Sequence, residues 1–133
     1  MVLTLDAYVW STNLVVHEIV SYIRIFSFDD HVFYIPTLQV IQRRLDGSVN
    51  FDKLWTDYKN GFGFLNREFW IGNEKLAYLT AQKNYELRID FRNQQGHPYY
   101  ASYDHFRIGD SGNYYNVLLG VYSGNSGRCN LNQ

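Results

Sequence analysis

Ser102, Asp104 and His105 are the residues in this chain whose types could perform nucleophilic catalysis, with a hydroxyl, an imidazole and a carboxylate inside four positions. Such chemistry needs the base within reach of the nucleophile and a third group to orient it. Their stretch reads as a strand, where neighbouring side chains leave on opposite faces, so Asp104 and His105 cannot converge on one reacting atom. His17, His31, His97 and His105 are scattered through the sequence without HExxH, and Cys129 is the one cysteine, so the spacing that zinc requires is missing. Asp104, Asp110 and Asn113 offer oxygen ligands to a hard cation, but their spacing is not that of an EF-hand, and Asp110-Ser111-Gly112-Asn113 is ordinary turn chemistry. No catalytic, metal or cofactor-binding residue is therefore assigned, and no cofactor is expected.

Aromatic and basic residues are the remaining candidates for recognition. Twelve tyrosines are an excess suited to half-buried strands and polar contact surfaces. Tyr99, Tyr100, Tyr114 and Tyr115 are the candidates for exposed rings, with cross-strand packing as the alternative. Arg43, Arg44, Arg88 and Arg92 read as sheet-surface or bridging ion pairs rather than ligand clamps.

The bulk properties exclude several classes of function. At 133 residues, with 46% hydrophobic, 18% aromatic and 19% charged residues, the sequence suits one domain with one core. A net charge of −1 supplies no field to gather phosphates, so nucleic acid is not an expected partner. The apolar run from Leu14 to Phe28 contains His17, Glu18 and Arg24 and is too short for a bilayer of about 30 Å, so no membrane span is predicted. The first residues show no cationic stretch ahead of an apolar run, so a secretory signal is not visible, and no Asn-x-Ser/Thr acceptor occurs.

These side chains must be held by a small set of elements. Leu14, Val15, Ile19, Tyr22, Ile23 and Phe26 fit a 3.6-residue period while the β-branched content favours extension; the period predicts a helix over about residues 13 to 26. Residues 38 to 45 read as a strand ended by Asp46-Gly47. A short helix follows, capped by Asn50 or Asp52, with Leu54, Trp55 and Tyr58 on its buried face and Gly61 as a left-handed stop. Asn73 is expected to cap a second helix to about Gln82 that turns Leu76, Ala77 and Leu79 to the core. Tyr85, Leu87, Ile89 and Phe91 alternate with charged residues, which predicts a strand with one wet face. Turns at residues 94–98 and 109–113 lead into strands from Tyr99 to Ile108 and from Tyr114 to Tyr122, giving an antiparallel meander covered on one face by the two helices. The alternation slips between Tyr103 and Phe106, which suggests a bulge or a strand buried on both sides.

The wording of the middle of the sequence is more specific than its periodicity. Val40-Ile41-Gln42-Arg43-Arg44-Leu45-Asp46-Gly47-Ser48-Val49-Asn50-Phe51, then Trp55, Tyr58-Lys59-Asn60-Gly61-Phe62-Gly63 and Glu68-Phe69-Trp70-Ile71-Gly72-Asn73, resemble the fibrinogen C-terminal domain family. So do residues 84–90, Tyr103-Asp104-His105-Phe106-Arg107-Ile108-Gly109-Asp110 and Gly120-Val121-Tyr122-Ser123-Gly124. The resemblance implies an α+β fold, non-catalytic recognition of glycans, acetylated groups or receptor proteins, an extracellular location, and Trp55, Phe62, Phe69 and Trp70 in the core. It also implies that the family's calcium and ligand loops lie downstream of Tyr122-Ser123-Gly124, so this sequence is expected to lack both the ligand site and the calcium site.

Three parts are expected on this basis: an atypical N-terminal segment (1–37), a partial fibrinogen C-terminal-like domain (38–127) and an atypical tail (128–133). Leu-Gln at 38–39 can be encoded as CTG-CAG and Arg128-Cys129-Asn130 as AGG-TGT-AAC, which look like splice junctions, so both ends are expected to be intron read-through. A truncated domain would leave strand edges such as Tyr114 to Tyr122 open, and self-association or a protein partner with no small-ligand activity is the rival expectation.

Overall fold

The computed structural model describes residues 21–27 and 37–127. Ser21–Ser27 is a strand, β1, with Ile23 and Ile25 buried on one face and Tyr22 and Arg24 half-exposed on the other. The helix expected over residues 13 to 26 is thus incorrect from Ser21 onward, and its first part lies outside the described residues. β1 takes the middle of the sheet, where it pairs antiparallel with β2 (Thr37–Arg44) on one side and β5 (Tyr85–Arg92) on the other. Two ladders satisfy its backbone on both edges, and the period of two then puts isoleucines in the core and Arg24 against Asp90.

Next in order are helix α1 (Trp55–Asn60), short strands β3 (Phe62–Gly63) and β4 (Phe69–Trp70), and helix α2 (Asn73–Gln82). After β5 come β6 (Pro98–Ile108), a 3-10 turn at Ser111–Asn113, β7 (Val117–Leu119) and β8 (Tyr122–Gly124). The sheet runs β3-β4-β2-β1-β5-β6-β7, and β8 also pairs with β6. This is the expected α+β arrangement, an antiparallel sheet with two short helices.

Leu76 of α2, Tyr58 of α1, Phe51 and Tyr115 close one core with Ile25, Ile41, Leu87, Tyr103, Phe106 and Ile108 from the strands. Thr80 of α2 accepts the Ile108 amide hydrogen through its hydroxyl at 3.1 Å, tying that helix to the end of β6. The slip in β6 is a bulge: Tyr85 faces Phe106 and Leu87 faces Tyr103, so Glu86 alone opposes Asp104 and His105. The extra residue keeps Ala101, Tyr103, Phe106 and Ile108 all buried.

Several local expectations are corrected. Residues Tyr114 to Tyr122 form no continuous strand, because the bulge splits the pairing surface of β6. The Asp104 carboxylate fills the break, accepting the Val121 amide hydrogen at 2.6 Å between β7 and β8. α1 begins later than predicted. Leu54 is its extended N-cap residue, and the Asp57 carboxylate receives the Leu54 amide hydrogen at 3.3 Å, while Asn50 Oδ1 is occupied with the Asp52 amide. Leu54 and Trp55 are consequently 76% and 40% exposed, and Tyr58 alone of the three is buried. Asn73 is inside α2, which Gly72 precedes.

Gly61 has φ 90° and ψ 156°, a positive-φ stop outside the left-handed helical region. A Cβ there would lie 2.5 Å from the Ile71 carbonyl oxygen, and one on Gly72 would lie 2.8 Å from the Asn60 carbonyl. The end of α1 and the start of α2 touch through backbone, which only glycine permits. Gly61→Ala is therefore expected to lose about 2–4 kcal/mol through backbone strain and overpacking. Gly47→Ala, at φ 76° with open space around it, is expected to lose about 1–2 kcal/mol from backbone strain alone. Urea unfolding of both variants checks the difference.

Candidate recognition surface

Each polar residue singled out for chemistry is engaged in local structure. Ser102 Oγ donates to the Leu87 carbonyl at 3.4 Å, Asp104 receives the Val121 amide, and the His105 carbonyl receives the Gly120 amide at 2.9 Å. The Ser102 hydroxyl and the Asp104 carboxylate thus serve different backbone partners, and the His105 contact is through its main chain. Asp110 Oδ1 accepts from the Asn113 backbone at 3.1 Å and from its side-chain amide at 3.0 Å, which closes the 3-10 turn. Asp104 belongs to the β7–β8 junction, so these oxygens do not act as a set. Among the described residues, no three His, Cys, Asp or Glu side chains gather as a metal-holding group. His97 is exposed and His105 half-buried, while His17, His31 and Cys129 lie outside the described residues.

The arginines act as bridges. Arg43 donates to the Leu65 and Arg67 carbonyls at 2.7 and 3.3 Å, and its guanidinium carbon lies 5.5 Å from the Phe69 ring centre and 5.7 Å from that of Tyr22. Arg44 donates to the Val49 carbonyl and sits 4.0 Å from the Phe51 ring centre. Arg88 meets Asp90 at 3.0 Å and covers Tyr100, and Arg92 donates to the Gly96 carbonyl at 3.2 Å.

Glu68, given no role by the sequence reasoning, is fully buried. Its carboxylate accepts amide hydrogens from Leu45 at 2.6 Å, Asp46 at 3.1 Å, Gly47 at 3.0 Å and Val49 at 2.9 Å, with Arg44 at 3.8 Å. Burial pushes the carboxyl up, but the amides of Val49, Leu45, Gly47 and Asp46 together outweigh it and hold the group below its ordinary 4.5. A glutamate shortly before a Trp and an Asp-Gly turn 21 residues earlier give no hint of this contact in one dimension. A second buried polar knot lies beneath it: Trp70 Nε1 donates to the Tyr58 carbonyl at 2.9 Å and Asn73 Oδ1 at 3.2 Å, and Tyr58 donates to the Phe51 carbonyl at 2.6 Å.

The tyrosine candidates divide. Tyr114 is 71% exposed, Tyr99 stacks on Phe91, and Tyr100 is half-buried under Arg88. Tyr115 is not an exposed ring. It is 1% exposed, packed 5.7 Å from Trp55 centre to centre, and its hydroxyl donates to Glu74. Burial, then the hydrogen bond to Glu74, pushes its phenol up to about 12. Trp55 is half-exposed and so departs from the core role the resemblance implied, whereas Phe69 and Trp70 are buried and Phe62 partly so.

This sheet and its two helices coincide with a known architecture. Residues 36–132 match the family model of the C-terminal globular domain of the fibrinogen beta and gamma chains. The protein belongs to that family. It is 53% identical over 88 residues to fibrinogen-like protein A of Apostichopus parvimensis, covering 66% of this chain and 31% of that protein. It is 47% identical over 91 residues to human fibrinogen-like protein 1, covering 66% and 29%. Among solved structures, the fibrinogen-like globe domain of human ANGPTL2 superposes with TM-score 0.65 at 34% identity, over 78% of this chain and 53% of the other. Lamprey fibrin D-dimer, complexed with the peptide Gly-His-Arg-Pro-amide, superposes with TM-score 0.63 at 37% identity, over 71% and 34%. The protein spans about a third of the length of these curated relatives and about half of the ANGPTL2 globe.

Glu68, whose carboxyl is held low, and Tyr115, whose phenol is pushed up, make opposite pH predictions, with Asp46 and Asp90 also held low and adding to the acid limb. Glu68 contributes its stabilisation fully above the ordinary glutamate value of 4.5 and loses it as pH falls through the depressed folded value. Tyr115 contributes below 10 and loses its share as pH rises toward about 12. Glu68→Gln, which leaves several buried amides poorly matched, is expected to cost about 2–4 kcal/mol at pH 7 and to flatten the acid limb. Tyr115→Phe should flatten the alkaline limb. Urea midpoints measured from about pH 3 to about pH 11 on the three proteins check both.

Proposed function

We propose that this protein is a non-catalytic recognition module of the fibrinogen-related kind, directed at extracellular glycans, acetylated groups or receptor proteins. The observation that carries the reading is the family match over residues 36–132, on a fold shared with angiopoietin-like globe domains and with a fibrin fragment that holds a peptide. Fold alone does not confer a ligand, so the proposal rests on surfaces rather than on catalytic residues. The engagement of Ser102, Asp104, Asp110 and Asn113 in turns and junctions supports a role other than catalysis. The fibrinogen-like and angiopoietin relatives support an extracellular location for this reading; among the described residues no helix is long and apolar enough to cross a membrane.

A second reading has its own observation. Among the described residues β7 ends the strand order, and Leu118 and Val121 beside that edge are 51% and 73% exposed. An open apolar edge favours association with a protein partner or a second copy, without any small ligand. The two readings separate on beads bearing N-acetylated sugars in calcium. Retention reversed by chelator supports glycan recognition. Passage without retention, together with elution from a sizing column as a dimer or larger, supports the edge reading, and Leu118→Lys should then restore the monomer.

A further inference from the structure

Asn60-Gly61 is the one Asn-Gly pair in the sequence, and it stands where α1 ends. An asparagine followed by glycine is the pair most prone to spontaneous ring closure, because no Cβ shields the backbone nitrogen that attacks the carboxamide. Asn60 is exposed, and among the described residues no hydrogen bond engages its carboxamide. The carbon to be attacked is therefore open.

The attacking nitrogen is not. Gly61 N–H donates to the Asp57 carbonyl at 2.8 Å, the bond that closes α1. At the other end of the same peptide group, the Asn60 carbonyl accepts from Lys75 Nζ of α2 at 3.2 Å. Gly72, buried just before α2, leans on it as well: a Cβ there would lie 2.8 Å from the Asn60 carbonyl carbon and 2.9 Å from the Gly61 nitrogen. Ring closure requires this nitrogen to lose its proton and swing toward Asn60 Cγ. Donation to Asp57 opposes the first step, and contact with Gly72 and Lys75 opposes the second. The Lys75 charge taken alone favours proton loss, by stabilising the amide anion through the adjacent carbonyl, but that effect is idle while the peptide cannot turn.

We propose that Asn60-Gly61 is a spontaneous modification site gated by the helix junction, closed while α1 and α2 are docked and reactive when they part. In the open state hydroxide removes the Gly61 amide proton, and the nitrogen bonds to Asn60 Cγ. The Cγ–Nδ2 bond breaks and ammonia leaves with a proton from water, which regenerates the hydroxide and leaves a succinimide. Water then opens the ring at one of its two carbonyls, giving aspartate or isoaspartate. Isoaspartate carries one extra methylene in the main chain, at a junction with no room for a single added carbon on Gly61 or Gly72. The isoaspartate chain therefore cannot dock its helices as before, and the modification accumulates as a one-way record of how often this junction has opened.

The test incubates the full-length protein in mildly alkaline buffer, folded or unfolded in guanidinium chloride, and follows deamidation at Asn60 by tandem mass spectrometry. The folded rate should be lower by about ten-fold or more, since the reaction must wait for local opening. Lys75→Met releases the carbonyl grip without straining the backbone. It should raise the folded rate about two- to five-fold, the range of one exposed charged contact, and leave the unfolded rate unchanged. Asn60→Gln should abolish the signal, and circular dichroism confirms that each variant is folded. Protein aged while unfolded and then returned to buffer should have an isoaspartate fraction with a lower denaturant midpoint than the Asn60→Asp variant, which lacks the extra methylene. Equal folded and unfolded rates, a folded rate for Lys75→Met at or below that of the parent, or an isoaspartate form as stable as Asn60→Asp overturns the proposal.

Discussion

A buried carboxylate that receives four backbone amides is the interaction on which the rest of this structure depends. Glu68 lies just before β4, and the amides of Leu45, Asp46, Gly47 and Val49 lie just after β2. One side chain therefore joins the turn that ends one strand to the start of its neighbour, which helps fix the Arg43–Phe69 and Gln42–Trp70 register. An ionised group can be buried only if its hydration is replaced, and here a curl of main chain does so without a matching buried base at hydrogen-bonding distance; Arg44 stands back at 3.8 Å.

From that anchor the layers follow. With β4 in register, Trp70 enters the core, and its indole nitrogen finds the Tyr58 carbonyl and Asn73. Those two contacts bring the end of α1 and the beginning of α2 together over the sheet, at the point where Gly61 and Gly72 permit backbone contact. Polar groups thereby position the helices, and the apolar burial of Tyr58, Leu76 and Phe106 supplies the larger share of stabilisation.

The strand with the clearest alternation, Tyr85–Arg92, was legible because its periodicity is local and its flanks are turns. The bulge in β6 was legible too, since a slip from Tyr103 to Phe106 can be read without knowing the partner. The helix expected over residues 13 to 26 fails for Ser21–Ser27 because Ile19, Tyr22, Ile23 and Phe26 satisfy a helical period while Tyr22 to Ile25 also satisfy alternation. The choice was made by two strand edges, β2 and β5, that lie elsewhere in the sequence. Trp55 and Tyr115 exchanged their expected exposures for a related reason: a later start to a six-residue helix rotates a side chain out of the core, and the vacated contact is completed by a tyrosine about 60 positions later.

By its residues alone, this protein determined its family, its α+β class, its two helices, its strand alternation and the place of its bulge, because each is written in nearest-neighbour chemistry or in wording shared with relatives. Tertiary structure alone decided that Ser21–Ser27 is a central strand, that Glu68 is an anion held by amides, and that Tyr115 is a buried donor while Trp55 faces outward. Those outcomes depend on which distant backbone groups lack partners and on which sides of short elements meet, and neither quantity exists until the sheet has closed around its core.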